Sequence, residues 1–476
     1  MKKIIYIAII FLTAGFVSCS DYLNEEPVMS QSDVLTLSDY EGLNNATVGA
    51  YSRLYSANWY GANFILAAEL RGGNAKNPTD SKFTSGRYTS EYNWNFTPDV
   101  TSPLWNSAYY VISCANNVIN NIGGKEDPDV TKQDLDNLKA ECLFLRALAY
   151  FDLVRVYGQP YTHAPQSLGV PVVLTSELGK PSRETVEIVY NQAVNDLKEA
   201  ESIISPKYTR IAAEDPAAVV SKSAIQALLS RVYLYMGKWQ EAADYATLVI
   251  KNPKYNLFTK ANYVSQWGKN TADPAGEVIF EVYGSRRNEY WGNWDVLPWL
   301  VNPNGYADVA SSADLRNLYE AGDVRGEESL FESHPDAPDH FWTSKYPGKE
   351  NTNRQENNTI ILRLSEMYLN RAEAIIRGNL NIPGVSATTD LQTIAEKRGA
   401  TPQAATQAGV MIERRKELAF EGHIVFDLAR TGTALTRVDY QGAAQNQNIG
   451  FPDKRWALPI PKAETEANKN CEQNPL

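Results

Sequence analysis

The stretch that most constrains the fold of this chain is Ile361 to Gly378, ILRLSEMYLNRAEAIIRG. Apolar residues recur there at the spacing of one helical face, and further leucines and isoleucines widen that face to more than half the circumference. Gly378 and Asn379 supply a left-handed stop. A helix that is apolar on so many sides must be packed by other helices. The sequence therefore predicts a helix over 361–378 that lies inside a helical array.

A second stretch, 221–253, indicates what kind of array this is. Gly237 ends one helix, Trp239 and Ala242 follow it, and Pro253 closes a second helix. This spacing is typical of the helix-turn-helix unit of tetratricopeptide repeats, in which small residues let paired helices nest. One such unit cannot bury its own apolar face, so it needs stacked neighbours. The predicted fold is mainly α, with tetratricopeptide-like helical pairs at about 102–157, 185–253 and 359–432.

Two segments between these helices lack helical periodicity, at about 58–100 and 254–358. The second contains one predicted strand, Glu277 to Tyr283, and is otherwise predicted as loop. Capping-box patterns begin two of the predicted helices, at Ser38 with Glu41 and at Thr131 with Asp134. A strong helix is also predicted over 410–430 despite its internal glycine.

The charge balance argues against a nucleic-acid partner. The chain carries 45 Lys and Arg residues against 56 Asp and Glu residues, a net charge of −11, with no long run of either sign. Proteins that neutralise phosphates need a basic surface. The abundant aromatic residues, 27 tyrosines and 10 tryptophans, leave enough rings for a stacking surface beyond those that the core needs.

The N-terminus predicts export and a lipid anchor. Lys2 and Lys3 precede an apolar run that is short for a membrane span, and a small residue precedes Cys19. This pattern resembles a lipoprotein signal over 1–18, in which Cys19 becomes the acylated first residue of the mature protein. An ordinary secretory signal with an incidental cysteine is the alternative. No later segment predicts a transmembrane helix.

The three remaining cysteines, Cys114, Cys142 and Cys471, do not make a disulfide scaffold, because their number is odd and the chain is long. Cys114 and Cys142 lie on consecutive predicted helices and could pair. We predict that they are two buried free thiols.

Motifs for catalysis, metal binding or cofactor binding are weak. Glu413, Glu417 and Glu421 lie along one helical face, whereas glycoside hydrolysis needs two carboxylates that face each other across a substrate. With basic residues interleaved, they predict an ion-paired surface helix. His334 and His340 flank a loop without the rigid spacing of a metal site. No phosphate-binding, dinucleotide, zinc-protease or nucleophile-elbow motif occurs, so no cofactor and no metal are predicted.

The two irregular segments carry the candidate binding residues. Sugar rings present apolar C–H faces that pack on aromatic rings, while their hydroxyls need amide, carboxylate or guanidinium partners. For any single tryptophan, packing between loop and array is the alternative to ligand contact. We expect the two segments to form a ligand site jointly, and the candidate residues are Trp59, Arg71, Asn74, Trp94, Trp291, Asn293, Trp294 and Trp342.

Five motifs occur in order along the chain: Cys19 with its acidic follower, the repeat unit at 221–253, ILRLSEMYLNRAEA, ERRKELAFEGHIVFDLAR and LPIPKAETEANKNCEQNP. Together they closely resemble the RagB/SusD family of surface glycan-binding lipoproteins. The resemblance implies one SusD-like domain over 19–476, with tetratricopeptide-like pairs on one side and an irregular ligand-binding half on the other.

The resemblance also implies a function. Members of the family are non-catalytic and sit on the outer leaflet of a Gram-negative outer membrane, attached to lipid through the acylated cysteine. They cap a SusC-like TonB-dependent transporter and deliver oligosaccharides to it. The matched motifs are structural, so they transfer no sugar site. Peptide cargo in the same uptake system and a secreted glycoside hydrolase are the alternative functions.

Overall fold

The structure is a computed structural model that describes residues 37–80, 82–99, 104–124, 128–210, 215–273, 275–284, 295–326, 330–349 and 356–476. It is mainly helical with a few short strands, which confirms the predicted fold class. The described helices are α1 (Tyr40–Leu54), α2 (Asn63–Arg71), α3 (Thr89–Asn93), α4 (Leu104–Asn121), α5 (Lys132–Tyr157), α6 (Val186–Ile203), α7 (Lys222–Met236), α8 (Trp239–Ile250), α9 (Tyr263–Gln266), α10 (Leu297–Leu300), α11 (Ala313–Arg316), α12 (Leu364–Gly378), α13 (Ala387–Arg398), α14 (Gln407–Glu417), α15 (Ile424–Thr431) and α16 (Lys462–Ala467). The described strands are β1 (Ala75–Lys76), β2 (Val278–Val282), β3 (Ala310–Ser311), β4 (Phe331–His334), β5 (Ala337–Thr343), β6 (Thr359–Arg363), β7 (Leu435–Thr436) and β8 (Asn448–Ile449).

The long helices form one continuous layer. Helix α1 packs on α4, and from there each of α4, α5, α6 and α7 packs on the next, while α8 packs on α12 and α12 on α13 and α14. Gly237 has a left-handed φ of 70° between α7 and α8, which confirms the predicted turn. Thr131 and Asp134 form the predicted capping box at the start of α5. At α1 the prediction was wrong, because Asp39 caps that helix in place of Ser38.

The predicted helix over 361–378 begins later than expected. Residues 361–363 belong to strand β6, which pairs antiparallel with β2 and places Leu362 opposite Phe280. All five residues of β6 are buried, so their apolar character reflects a covered strand. Helix α12 runs from Leu364 to Gly378, and its C-cap residue, Asn379, has a left-handed φ of 48°.

The predicted helix over 410–430 is two helices, α14 and α15, separated by a turn. Phe420 and Gly422 both have left-handed φ values, 61° and 80°. A Cβ atom on Gly422 would lie 3.0 Å from the Cδ1 atom of Ile65, so the turn also needs glycine for close packing. The amide N–H of Gly422 donates a hydrogen bond to the buried Glu69 side chain at 2.9 Å, which fixes the turn against α2.

The two irregular segments contain more regular structure than predicted. Helix α2 lies in the first, and strands β4 and β5 form a hairpin in the second, so its prediction as loop apart from β2 was wrong. Strand β1 of the first segment joins β3 of the second, with Ala75 opposite Ser311. The resulting sheet has the order β1-β3-β5-β4. Its pairings join residues that are far apart in sequence, which helical and strand periodicity cannot show.

The three glutamates of the α14 region are ion-paired as predicted, but the prediction of a surface helix was wrong. Glu413 and Glu417 are fully buried and Glu421 is nearly so. They join a buried ionic cluster of five cations and five carboxylates, in which every cation lies within 2.9 Å of a carboxylate oxygen. The cluster links the helical layer to the second irregular segment. Its members are Glu277, Asp323, Arg325, Lys345, Arg363, Arg398, Glu413, Lys416, Glu417 and Glu421.

The three cysteines of the described chain are free thiols, which confirms the prediction for Cys114 and Cys142. Cys142 and Cys471 are buried, whereas Cys114 is partly exposed, so its predicted burial was wrong. The predicted leader and Cys19 lie outside the described residues. Within the ranges that are described, no helix combines the length and the apolar character needed to cross a bilayer.

Candidate functional site

The two irregular segments meet at the side chain of Arg87. Its Nη2 atom lies 2.8 Å from Oδ1 of Asp295, and its Nη1 atom lies 3.1 Å from Oδ2 of Asp308. The guanidinium carbon lies 4.3 Å from the centre of the Tyr306 ring. About a third of the Arg87 side chain is exposed. A guanidinium, a carboxylate and an aromatic ring therefore share one surface, which we call the Arg87 face: Arg87, Asp295, Trp299, Tyr306 and Asp308.

Asp308 lies buried at the bottom of this face. Its Oδ1 atom accepts hydrogen bonds from the backbone N–H of Ser85 at 2.7 Å, from the Ser85 hydroxyl at 2.9 Å and from the Thr84 hydroxyl at 3.2 Å. These bonds hold the turn that presents Arg87. Because its oxygens are occupied and it is fully buried, Asp308 positions other groups and does not reach solvent.

Two neighbouring carboxylates stabilise the charged form of the Arg87 side chain. Burial alone would lower the pKa of the guanidinium, but Asp295 and Asp308 outweigh that effect and raise its pKa above the ordinary value. Arg87 also donates to the Ser85 hydroxyl at 2.6 Å. The guanidinium is thus held in place by several partners while part of it stays accessible, which suits recognition of hydroxyl groups.

A tight turn holds the aromatic part of the face. The backbone N–H of Tyr306 donates to the carbonyl of Trp299 at 3.0 Å. Gly305 lies directly against the indole of Trp299, where an added Cβ would come within 2.9 Å of ring atom Cδ2. Both Trp299 and Tyr306 are partly exposed. Half-covered rings of this kind can pack against the apolar face of a sugar.

Three of the predicted tryptophans lie in the core, so the expectation that they contact ligand is corrected. The exposed fractions of Trp59, Trp94 and Trp342 are 0%, 1% and 0%. Their indole N–H groups donate to the carboxylate of Asp152, the carbonyl of Arg71 and the carbonyl of Ala307, at 2.7, 3.1 and 2.9 Å. A tryptophan whose polar atom finds a buried acceptor packs as a core residue.

Arg71 and Asn74 are also buried, and they too are corrected from ligand contacts to structural residues. The Arg71 guanidinium lies 4.8 Å from the ring centre of Trp94, and burial lowers its pKa to about 10. Asn74 donates to the carboxylate of Glu69 at 2.8 Å and accepts from Arg415 at 2.7 Å. Both side chains tie α2 to the C-terminal part of the fold.

The remaining predicted residues, Trp291, Asn293 and Trp294, lie outside the described residues. They immediately precede Asp295 in sequence, so the expectation that the two segments form a site jointly now centres on the Arg87 face. All five residues of the Arg87 face lie in the predicted irregular segments, but none of them was among the predicted binding residues. Their only sequence signal is polar and aromatic character without helical periodicity.

The two histidines considered for metal binding pack against aromatic rings. The His334 ring centre lies 5.2 Å from that of Phe83, and the His340 ring centre lies 6.1 Å from that of Trp342. Among the described residues, no group of three or more His, Cys, Asp or Glu side chains is arranged to hold a metal ion.

A second concave surface includes Thr89, two positions after Arg87 in sequence. It is bounded by residues 89–95 and 441–446 and has a volume of about 530 Å³. Its lining contains hydroxyl and amide side chains and no charged residue. We call it the amide pocket, and it is lined by Thr89, Ser90, Asn93, Asn95, Gln441, Gly442, Ala443, Gln445 and Asn446.

Comparison with known proteins identifies two family matches along the chain. The family described as "Starch-binding associating with outer membrane" matches residues 21–234. The family described as "SusD family" matches residues 334–476. Together the two matches cover most of the chain and leave out part of the second irregular segment.

Whole-chain relatives agree with these matches. SusD-like protein P2 of Formosa agariphila is 26% identical over 530 aligned residues, which cover 100% of this chain and 99% of that protein. A putative sugar binding protein from Bacteroides vulgatus is 28% identical, with a TM-score of 0.81 over 92% of this chain and 98% of that one. The crystal structure of a SusD superfamily protein from Bacteroides thetaiotaomicron has a TM-score of 0.82 and 32% identity, over 92% of this chain and 100% of that one. The chain belongs to the SusD family.

Proposed function

We propose that this protein is a non-catalytic, surface-exposed lipoprotein that binds oligosaccharides and delivers them to a SusC-like TonB-dependent transporter. The observation that carries the proposal is the Arg87 face, where a partly exposed guanidinium lies 4.3 Å from a partly exposed tyrosine ring. In this proposal the rings of Tyr306 and Trp299 pack on sugar faces, and Arg87 and Asp295 bind hydroxyls.

The family supports the glycan as the class of ligand. One matching family is described as starch-binding and associated with the outer membrane, and one similar structure is named as a putative sugar binding protein. The proposed location on the outer membrane is supported by that description and by the predicted lipoprotein signal over 1–18, which precedes Cys19. The transporter partnership rests on the family alone.

The state of the carboxylates favours binding over hydrolysis. A glycosidase needs one carboxyl group as an acid and a second as a base or nucleophile, both facing the substrate. On the Arg87 face, Asp308 is fully buried and bound to Ser85 and Thr84, so it is not available for either role.

The proposal is tested with soluble protein that begins after Cys19, applied to a broad oligosaccharide panel. We expect retention of at least one oligosaccharide and no release of shorter products on prolonged incubation. Absence of any retention, under conditions in which related binders are positive, would contradict glycan binding. Release of shorter products would identify a hydrolase and contradict the non-catalytic assignment.

A further inference from the structure

Hydrogen bonds within the protein hold the walls of the amide pocket in place. The carbonyl oxygen of the Asn93 side chain accepts from the Tyr440 hydroxyl at 2.8 Å and from the backbone N–H of Ala443 at 3.3 Å. The Tyr92 hydroxyl accepts from the backbone N–H of Gln441 at 2.9 Å. These bonds connect the two walls of the pocket.

Arg437 supports the pocket from behind. It is 1% exposed, and its guanidinium donates to the backbone carbonyls of Tyr92 at 2.7 Å, Gln447 at 3.2 Å and Asn446. The same group lies 4.0 Å from the ring centre of Tyr440. Because each of its three nitrogens donates to a backbone carbonyl and the side chain is buried, Arg437 shapes the pocket and does not offer its charge to a ligand.

The lining, in contrast, has unused hydrogen-bonding capacity. Within the described part of the chain, the side chains of Ser90, Asn95, Gln441 and Gln445 make no hydrogen bond to the protein. An amide carries two donors and an acceptor with two lone pairs, and a hydroxyl both donates and accepts. Groups of this kind match sugar hydroxyls, which also donate and accept. A volume of about 530 Å³ lies in the range of small-molecule sites, roughly 300–1,000 Å³.

From this arrangement we propose that the amide pocket binds a neutral, hydroxyl-rich sugar unit, and that it forms a second subsite for the oligosaccharide of the proposed function, on which this inference rests. An anionic sugar is disfavoured, because its carboxylate would lose water without gaining a cationic partner in the lining. Residues Arg87 and Thr89 are two positions apart, so their Cα atoms lie within about 7 Å of each other. In this proposal one oligosaccharide contacts both the Arg87 face and the pocket.

The test measures saturation-transfer NMR signals of single sugars in the presence of the soluble protein that begins after Cys19. The probes are glucose, galactose, mannose and xylose as neutral sugars, with glucuronate and galacturonate as anionic ones. We expect signals from at least one neutral sugar and weaker signals from the uronates. No signal from any neutral sugar, or stronger binding of the uronates, would overturn the proposal.

Variants assign the signal to the pocket. Gln445→Ala and Asn95→Ala should each raise the dissociation constant of the neutral sugar about fivefold, the effect of losing one uncharged hydrogen bond. Gln392→Ala is the matched control, since Gln392 is an exposed amide on α13, and it should change nothing. Tyr306→Ala should leave the single-sugar signal in place while it weakens binding of the longer oligosaccharide.

Failure of the pocket proposal and failure of the proposed function give different experimental results. If Tyr306→Ala abolishes the single-sugar signal while Gln445→Ala and Asn95→Ala leave it intact, the pocket is not a sugar subsite, and the Arg87 face alone binds the glycan. Failure of the whole oligosaccharide panel, by comparison, contradicts the proposed function itself.

Discussion

The change Glu417→Gln tests the buried ionic cluster. The carboxylate of Glu417 lies 2.8 Å from Arg325, 2.6 Å from Arg363 and 2.7 Å from Arg398, and all four side chains are buried. The glutamine amide has the same shape but carries no negative charge, so Arg325, Arg363 and Arg398 each lose one anionic partner. Loss of one member of a buried ion pair costs about 3–5 kcal/mol, and three partners place this change at the upper end, about 5 kcal/mol.

This cost converts into a shift of the melting temperature. Unfolding entropy of about 2.1 cal/mol/K per residue gives roughly 1 kcal/mol/K for this chain of 476 residues, so the Tm should fall by about 5 °C. The assay is thermal unfolding followed by circular dichroism. Glu199→Gln is the matched control, because Glu199 pairs with Lys139 at 2.5 Å in an exposed setting where ion pairs contribute little. Equal Tm values for the two variants would refute the prediction that loss of the Glu417 charge destabilises the folded protein.

The same change should alter the response to acid. Burial alone would raise the pKa of Glu417, but Arg398, Arg363 and Arg325 hold it well below the ordinary value. A depressed pKa in the folded state gives stability that is present above the unfolded value, near 4.5, and is lost as the pH falls further. We therefore expect wild-type protein to lose stability below about pH 4.5 more steeply than the Glu417→Gln variant.

Two further predictions concern buried residues near α2. Burial raises the pKa of Glu69 to about 7, so the folded protein keeps a proton that the unfolded chain releases above about pH 4.5. The free energy of unfolding, measured with urea, should fall as the pH rises from 5 to 7 and level off above pH 7. Glu69→Gln should flatten this pH dependence. An unchanged pH profile in the variant would contradict the raised pKa of Glu69. Trp94→Ala should lower stability by about 3–5 kcal/mol, because it empties a buried site. Weaker binding at full stability would restore Trp94 as a ligand contact.

Local signals in the sequence predicted the helical layer well. Gly237 marks a turn, and Thr131 with Asp134 marks a helix start, because left-handed conformations and capping depend on neighbouring residues alone. Residues 361–363 of strand β6 were predicted as helix because its pairing partner β2 is remote in sequence. Pairing across such a distance leaves no periodic trace in a short buried segment.

The candidate site was predicted only in outline. An aromatic and polar segment does not show which tryptophan finds a buried acceptor, and Trp59, Trp94 and Trp342 each found one. Arg87 and Tyr306 carry no motif, and their contact depends on how the two irregular segments fold together. The buried state of Glu417 was missed for a similar reason, since its arginine partners come from three distant elements.

The most direct test of the account is the calorimetric affinity of Tyr306→Ala for the oligosaccharide that the panel selects. Truncation of a central contact residue costs on the order of 2 kcal/mol, so the dissociation constant should rise at least about tenfold. Tyr110→Ala is the matched control, since Tyr110 is an exposed tyrosine on α4 with Arg53 at 5.2 Å from its ring centre. We expect lost affinity for Tyr306→Ala alone, with the Tm of both variants close to wild type. Equal, unchanged affinities for both variants would contradict a glycan site on the Arg87 face.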